Sequence, residues 1–278
     1  GRDLVTERDW AAQQRTGIIN PDAPIVTTGD LVAGSPVITN IPSTAGLSPA
    51  YFLCTGTGIP ASARILSIGG ATSVTLDSEI SASGTTVQLT FAKDRYDLPN
   101  DFGQFINQTQ WDRTNHWQLN GPMSPQEDEW VRSGIVTTGP RRRFRITSVY
   151  GGASATQNRA FEIWPAPQTT DGASTLSYEY VSLSWVRFIS AGVAFIKAAF
   201  TADTDVCIFP DDVMVTGLKR RFWAAKGFDY QDYDMEFQRA KQKAISQDTG
   251  ARTLDMRRRR WPYFLSPGNA PEANFPSS

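Results

Sequence analysis

The sequence has few of the residues on which covalent crosslinking, metal binding and acid–base catalysis most often depend. Its two cysteines, Cys54 and Cys207, are too few for a disulfide framework. Both stand among apolar neighbours, which predicts two buried small side chains in a protein that folds in a reducing compartment. The single histidine, His116, cannot form a zinc site or a catalytic triad without partners, and we expect a structural or surface role for it.

Long apolar runs and an excess of one charge are also missing. Arg187 and Lys197 interrupt the longest apolar candidate, so no segment reaches the roughly 20 residues of a membrane-spanning helix, and we expect no membrane partner. The formal net charge is −1, so any attraction for nucleic acid must come from local clusters. There is no secretory signal, and because the first residue is Gly1 we expect a chain that was processed, tagged or lacks its start.

Acidic residues gather in two places where helix starts and turns account for them. Carboxylates within one helical turn fan out around the axis and do not face each other as a catalytic pair must. Phosphate-binding loops, dinucleotide fingerprints and nucleophile elbows are absent as well. We therefore predict no catalytic residue, no metal, no cofactor and no enzymatic activity. The two acidic groups are Glu127, Asp128 and Glu129, and Asp203, Asp205, Asp211 and Asp212.

Residues 30–91 differ in composition from the segments on either side. They are rich in Gly, Ser, Thr, Val and Ile and almost free of Lys, Arg and Glu. Apolar and polar residues alternate along 73–91, which predicts a hairpin around the SASG stretch, and a second hairpin is expected around Gly69 and Gly70. The sequence therefore predicts a small all-β, sandwich-like module inserted into a different framework.

The flanking segments predict helices and strands together. Pro99 and Asn100 are expected to open a short helix, and Ser124 with Glu127 forms a capping box. Three strands follow, which residues on either side of the module could join, and two helices fill the last third, one with an apolar stripe at Tyr233, Phe237, Ala240 and Ala244. We predict an α+β fold with an α-helical bundle core, an antiparallel β region and the inserted module. The predicted domains are 1–29 with 92–256, then 30–91, then an extended arm at 257–278.

Basic residues form three clusters, which are most simply solvated faces but could also contact DNA phosphates or acids on a neighbouring subunit. In the last cluster aromatics follow the arginines at once, and prolines prevent a long helix, so we favour a strap that docks on a protein. The candidate interface or channel residues are Arg141, Arg142, Arg143, Lys219, Arg220 and Arg221, with Arg145 beside the first three. The arm residues are Arg257, Arg258, Arg259, Arg260, Trp261, Tyr263 and Phe264.

Several framework segments resemble one protein family. They include "RYDLPNDFGQFINQTQWDRTNHWQLNGPMSPQEDEWVRSG", "FEIWPAP", "LSYEYVSLSWV" and "FTADTDVCIFPDDVMVTGLKRRFWAAKGFDY". These segments look like those of head-to-tail adaptor (head completion or connector) proteins of short-tailed bacteriophages, and the likeness extends over most of residues 1–30 and 93–256. The β module resembles a small module found in phage virion proteins.

The resemblance implies a virion structural protein of the phage neck, made in the host cytoplasm. Such adaptors form a ring, usually of twelve copies, that joins the portal protein to the tail tube or nozzle and extends the channel for double-stranded DNA. The segment from Leu218 to Arg260 contains twelve Lys or Arg and six Asp or Glu, which suits contact with DNA or with an acidic portal surface.

Two alternatives remain open at this point. The β module could make the protein a virion binding module for a tail fibre, the capsid or a host glycan, an expectation that rests on its distinct composition. The scattered carboxylates give weaker support to a peptidoglycan hydrolase, for which Glu127 would be the residue to test.

Overall fold

The computed structural model describes residue 4 and residues 10–132, 142–149, 159–166, 174–190 and 193–248. Strands hold 39% of these residues and helices 21%. The predicted α-helical bundle core is therefore wrong, because the framework is built mainly from antiparallel sheets. The element bounds are β1 (Gln14–Ile19), β2 (Ile25–Leu31), β3 (Val37–Ile38), β4 (Phe52–Gly56), β5 (Ile65–Gly70), β6 (Ser73–Leu76), β7 (Gly84–Lys93), β8 (Arg95–Asp97), β9 (Phe102–Phe105), β10 (Trp111–Asp112), β11 (Trp117–Gln118), α1 (Pro125–Arg132), β12 (Arg143–Ser148), β13 (Arg159–Trp164), β14 (Leu176–Ser182), β15 (Val186–Ser190), β16 (Val193–Lys197), β17 (Val206–Cys207), α2 (Asp211–Ala225) and α3 (Gln231–Asp248).

Strands β2 to β7 form a small barrel, which we call the barrel (residues 25–93). Two three-stranded sheets, β2-β7-β4 and β3-β6-β5, face each other. Their edges are joined on both sides, by the pairing of Asp30 with Thr39 and of Leu53 with Arg64. Closure satisfies edge backbone groups that would otherwise be open to pairing. The interior holds fully buried apolar side chains, among them Ile38, Ile65, Val74, Leu89 and Phe91.

The barrel corrects one local prediction and confirms another. The hairpin around Gly69 and Gly70 is present, since β5 pairs with β6. The hairpin predicted within residues 73–91 is wrong, because β6 lies between β3 and β5 while β7 lies between β2 and β4. The connection between β6 and β7 is a largely exposed loop from which Ile80 alone is buried in the barrel core.

Two further sheets enclose an aromatic core. The first has the order β1-β14-β10-β11, with β9 also paired to β14, and the second has the order β12-β13-β8. As predicted, the residues flanking the barrel pair with the framework strands: β1 with β14, and β8 with β13. The rings of Phe144 and Phe161 stack at 5.1 Å between these sheets, and Tyr178 stacks on Phe161 at 5.6 Å. Gly17 leaves room for the ring of Tyr178, since a Cβ there would lie 2.2 Å from the ring.

The helix predicted after Pro99 is a strand instead. Phe105 of β9 pairs with Tyr180 of β14, and its ring meets Phe102 at 4.7 Å and Phe144 at 6.0 Å. The aromatic core therefore outweighs the local helix signal of Pro99 and Asn100. This is one physical reason why the bundle prediction fails.

The helices of the last third are confirmed, but they form a hairpin and not a bundle core. Helix α2 is followed by Gly227 at φ 72°, as the sequence predicted, and α3 packs along α2. Phe237 and Ala244 of the predicted stripe are buried, and Tyr233 and Ala240 are half-buried. The sheet β16-β15-β17 lies beside the base of the hairpin, where Val186 joins the same apolar cluster as Phe237.

Candidate interaction surfaces and a buried ion cluster

The predicted basic cluster at the start of β12 divides between environments. Arg142 and Arg143 are half-buried, and the backbone of Arg142 accepts a hydrogen bond from the Asn120 amide at 2.9 Å. Arg145 turns inward to a group of buried acids. Arg141 lies outside the described residues.

The predicted basic cluster on α2 also divides. Lys219 and Arg221 are exposed. Arg220 faces α3, with its Nε 2.6 Å from Asp234 and its guanidinium 5.4 Å from the centre of the Phe237 ring. Arg220 therefore holds the two helices together, while its two neighbours point toward solvent. The predicted arm residues Arg257, Arg258, Arg259, Arg260, Trp261, Tyr263 and Phe264 lie outside the described residues.

The α2–α3 hairpin is anchored only at its base. Each helix buries two residues, Val213 and Thr216 on α2, and Phe237 and Ala244 on α3. The apolar cluster that receives them is formed by side chains from the body, namely Leu4, Trp10, Trp185, Val186 and Phe209. Toward the tip, Trp223 stacks on Tyr233 at 5.0 Å, which closes the hairpin on itself.

One face of α2 is apolar and open, and we call it the α2 stripe (Val215, Leu218 and Phe222). These three side chains are 52%, 71% and 57% exposed. They are spaced i, i+3 and i+7, so they lie on one face of the helix. Scattered exposed apolar residues are ordinary, but an aligned row on a projecting helix marks a contact surface.

A second open apolar surface is the β15–β16 hairpin. Ile189 is 70% exposed and Phe195 is 46% exposed. Phe195 stacks on Phe188 at 5.4 Å, and Lys197 lies 4.7 Å from the centre of the Phe188 ring. An open cleft of about 830 Å³ runs between this hairpin and the first framework sheet, with Arg15 and Arg187 among its lining residues.

The most buried charges of the described residues form one group, which we call the ion cluster. It contains four arginines and three acids: Arg64, Arg95, Arg132 and Arg145, with Asp94, Asp128 and Glu162. Glu162 is the centre, since all four guanidinium groups lie within 3.3 Å of its carboxylate. Its side chain is 1% exposed.

The other acids of the ion cluster each bind in a paired geometry. Arg64 donates to both oxygens of Asp94, at 2.6 and 2.7 Å. One carboxylate oxygen of Asp128 lies 2.9 Å from the guanidinium of Arg132, and the other lies 2.7 Å from that of Arg145. Planar guanidinium groups suit such two-pronged contacts, which fix direction as well as distance.

The pKa values of Asp94 and Glu162 are shifted in opposite directions. Burial raises the pKa of Asp94, even though Arg64 opposes the shift. Burial also acts to raise the pKa of Glu162, but the charges of Arg95, Arg132, Arg64 and Arg145 outweigh it, and the pKa is lowered. Glu162 thus stays ionised to lower pH than a free glutamate.

Sequence reasoning missed the ion cluster because its members are far apart in the chain. Arg64 and Glu162 are separated by 98 positions. One signal was available: Arg64 is the only Lys or Arg between residues 30 and 91. A lone cation in a β module with only three acids indicates a buried partner, since an isolated buried charge is strongly unfavourable.

The residues that were considered as catalytic or metal-binding candidates have structural roles in the fold. Ser124 and Glu127 form the predicted capping box, with the Glu127 carboxylate accepting from the Ser124 amide at 2.9 Å and the Ser124 hydroxyl accepting from the Glu127 amide at 3.2 Å. His116 is exposed in a turn, and Asp205 binds Lys197 at 2.6 Å. Burial raises the pKa of Cys54 to about 12, which keeps its thiol neutral.

Two further properties apply to the described part of the chain alone. No group of three or more His, Cys, Asp or Glu side chains there is arranged to hold a metal ion. No helix in the same residues has the length and apolar character needed to cross a membrane.

A β-rich body that carries open apolar surfaces on a projecting hairpin is typical of a subunit of a larger assembly. Comparison with known proteins identifies the assembly. The sequence model of the SU10 adaptor protein family matches residues 72–270, and the chain belongs to that family. It is a bacteriophage virion adaptor, which confirms the resemblance to head-to-tail adaptors of short-tailed phages. No curated protein and no solved structure matches the chain.

The family match begins within the barrel. Residue 72 precedes β6, so β6 and β7 lie inside the matched range and β2 to β5 lie before it. The matched range includes three of the four arginines of the ion cluster and all three of its acids, and Arg64 alone lies before it. The predicted domain boundaries stay a prediction.

Proposed function

We propose that this adaptor forms a ring, of about twelve copies as the family resemblance implies, which joins the portal to the tail nozzle or tube and extends the DNA channel. The observation that carries the proposal is the α2 stripe. A single copy leaves Val215, Leu218 and Phe222 open to water. Burying a side chain of this size contributes about 1.5–3 kcal/mol, so a repeated contact between copies would gain substantially from covering the row.

The stripe suits a contact that repeats around a ring. A head-to-tail ring closes by repeating one interface between two different patches, so each copy needs one projecting surface and one receiving surface. The hairpin projects, because only its base is packed against the body. The second apolar surface, at Ile189 and Phe195 of the β15–β16 hairpin, is the receiving surface that we propose.

Lys219 and Arg221 flank the stripe on α2. With 100° of rotation per residue, one lies on each side of the row formed by Leu218 and Phe222. We propose that these two cations face either acids of the next copy or the phosphates of passing DNA. Arg220, which is half-buried and has its Nε 2.6 Å from Asp234, faces α3.

The C-terminal arm is proposed to dock on the portal. Arginines and aromatics are the residues that most often anchor protein interfaces, and residues 257–264 carry four arginines and three aromatics. Ordering such a segment costs conformational entropy, so binding by many copies at once would supply the needed avidity.

The substitution Leu218→Asp tests whether the α2 stripe is a contact between copies. The matched control is Gln238→Asp at an exposed position of α3. We expect the Leu218 variant to stay folded by circular dichroism but to give no ring on purified portal in electron micrographs, while the control assembles. A complete ring from Leu218→Asp would overturn this use of the stripe.

The arm is tested by deleting residues 257–278, with deletion of 266–278 as the control that retains the arginines and aromatics. We expect the longer deletion to lose portal binding in a sedimentation assay and the shorter one to keep it. Equal binding by both proteins would contradict the docking role.

The two flanking cations are tested together as Lys219→Gln with Arg221→Gln. If they face DNA, particles should assemble normally while DNA passage becomes less dependent on salt, because fewer phosphate contacts release fewer counterions. If they face a neighbouring copy, ring formation itself should weaken.

A binding role for the barrel is the second candidate, and one observation favours it. Only four residues between 30 and 91 are charged, and Arg64 among them is buried. The barrel therefore presents an almost neutral, hydroxyl-rich surface toward a tail fibre, the capsid or a host glycan. Infectious, fully decorated particles from a variant lacking residues 25–93 would count against it. No observation favours a peptidoglycan hydrolase, since Glu127 serves as a helix cap.

A further inference from the structure

The chain passes between the barrel and the body at two adjacent points. It enters after Ile19, the last residue of β1, and returns at Asp94, which separates β7 from β8. Because β2 pairs with β7, and Ile25 with Phe91, the two crossings lie side by side. Two neighbouring strands that connect two bodies form a natural hinge unless other contacts prevent rotation.

Contacts across this hinge come from both bodies. Arg64 of the barrel binds Asp94 and also reaches Glu162 of β13 at 3.2 Å. The carbonyl of Ala50 accepts from Arg64 at 3.0 Å and from Arg95 at 3.1 Å. The hydroxyl of Tyr51 donates to Asp97 at 2.5 Å.

An apolar seam lies beside these polar contacts. Val149 and Ala160 of the body join the barrel's core cluster, and Leu53 packs with Ala92 and Ala166. Trp164 of the body packs against the second of these groups. The ion cluster adds directional contacts beside the seam.

Burial of seven charges is a poor way to gain stability alone. Desolvating two ions often cancels their attraction, and apolar residues of the same size can serve as well or better. What a buried guanidinium with several fixed acceptors does supply is a defined geometry. Arg64 of the barrel binds Asp94, at the crossing itself, and Glu162 of the body.

We propose that the ion cluster is an orientation lock, in which Arg64 holds the barrel at one angle to the adaptor body. The lock fixes the direction in which the virion presents the barrel. The inference does not depend on the ring or on the barrel's binding partner.

The two acids that hold Arg64 respond differently to pH. Burial raises the pKa of Asp94, so protonation of Asp94 favours the buried, locked arrangement. The arginines lower the pKa of Glu162, so its contribution to the lock is lost as the pH falls through that lowered value. The other charged groups facing the lock are Asp77 on the barrel, and Asp97, Asp128 and Glu129 on the body.

The test uses pulsed electron paramagnetic resonance to measure the distance between two spin labels on the full chain. One label is placed at Ser67 of the barrel and one at Glu179 of β14, both exposed, in a Cys207→Ser background that leaves buried Cys54 unlabelled. We expect a narrow distance distribution at neutral pH.

The double variant Arg64→Met with Asp94→Asn removes the lock without leaving a buried charge unpaired between the two residues. We expect a broad distribution at neutral pH with a native near-ultraviolet circular dichroism spectrum. The control is Lys197→Met with Asp205→Asn, which removes an ion pair in the β15–β16 region, and it should behave like the unsubstituted chain.

Two results would overturn the proposal. One is a folded double variant whose distance distribution stays as narrow as that of the unsubstituted chain, which would assign the orientation to the apolar seam. The other is a broad distance distribution for the unsubstituted chain at neutral pH. That measurement needs no substitution, so it decides the matter even if the double variant fails to fold.

Discussion

The barrel and the α2–α3 hairpin differ in how much of their apolar surface is buried within one chain. The barrel places fourteen of its residues in one buried cluster, shared with only Val149 and Ala160 of the body. The hairpin buries two residues on each of its two helices and leaves the α2 stripe in water. The barrel thus buries its apolar side chains largely by itself, whereas the described residues leave an apolar row of the hairpin exposed.

The difference shows where stability and assembly reside in this adaptor. A substitution in a closed core acts on the folding of each copy, because the lost contacts all lie within that copy. A substitution on the stripe acts on association and leaves the single copy almost unchanged. The same kind of side chain therefore has different consequences in the two regions.

Phe91→Ala should have the largest effect on folding. Phe91 is fully buried in the barrel, and removing a ring of this size from a core costs about 3–5 kcal/mol. Urea unfolding followed by circular dichroism measures the loss. Val26→Ala, at an exposed barrel position, is the control and should change the unfolding free energy by less than about 0.5 kcal/mol. A tolerated Phe91→Ala would mean that the barrel is not a rigid core.

Glu162→Gln should have the second-largest effect on the unfolding free energy. It changes the junction between the barrel and the body. Four guanidinium groups would lose their shared carboxylate, and breaking a buried ion pair from one side costs about 3–5 kcal/mol. The matched control is Asp212→Asn, since Asp212 lies 3.9 Å from Lys243 with both side chains exposed. That control should cost less than about 1 kcal/mol. Equal losses from the two changes would show that burial of the cluster is unimportant.

Acid should reduce the advantage that Glu162 confers. Because the pKa of Glu162 is lowered on folding, its contribution to stability is present above the ordinary glutamate pKa and is lost as the pH falls through the lowered value. Asp94, with a raised pKa, contributes in the opposite direction. The difference in unfolding free energy between the unsubstituted protein and Glu162→Gln should therefore shrink from neutral to acid pH. A difference that is constant with pH would contradict this assignment.

Leu218→Ala should have the smallest effect on a single copy. Leu218 is 71% exposed, so the unfolding free energy should change by less than about 0.5 kcal/mol. Ring formation on portal, measured by sedimentation, should weaken in the same variant. A large loss of stability in the isolated chain would show that the stripe already packs within one copy, and the contrast between the two regions would fail.

The local parts of the fold could be predicted from sequence, because their signals lie within a few residues. Ser124 and Glu127 marked the start of α1, Gly227 the end of α2, and the stripe from Tyr233 to Ala244 the buried face of α3. Pairing of the segments that flank the barrel was also predicted, since both alternate like the strands that they join.

The predictions failed where contacts between residues far apart in the sequence determine the local structure. Pro99 and Asn100 indicate a helix start, yet the aromatic core draws Phe102 and Phe105 into a strand. The alternating residues of β6 and β7 resemble a hairpin, but each strand has better partners elsewhere in the barrel. Arg145 seemed part of a solvated basic run, and only the folded chain brings it to Glu162. The predicted roles of the arm and of the flanking cations remain predictions.

The paired strands at the foot of the barrel have a consequence for how such adaptors diversify. Since Ile25 pairs with Phe91, the barrel is a closed unit whose two chain ends emerge as neighbours. Units of that kind can be gained, lost or exchanged by recombination with little disturbance to the host fold. For engineering, the same geometry offers a cassette site at which a foreign domain with adjacent ends could be displayed on the phage neck.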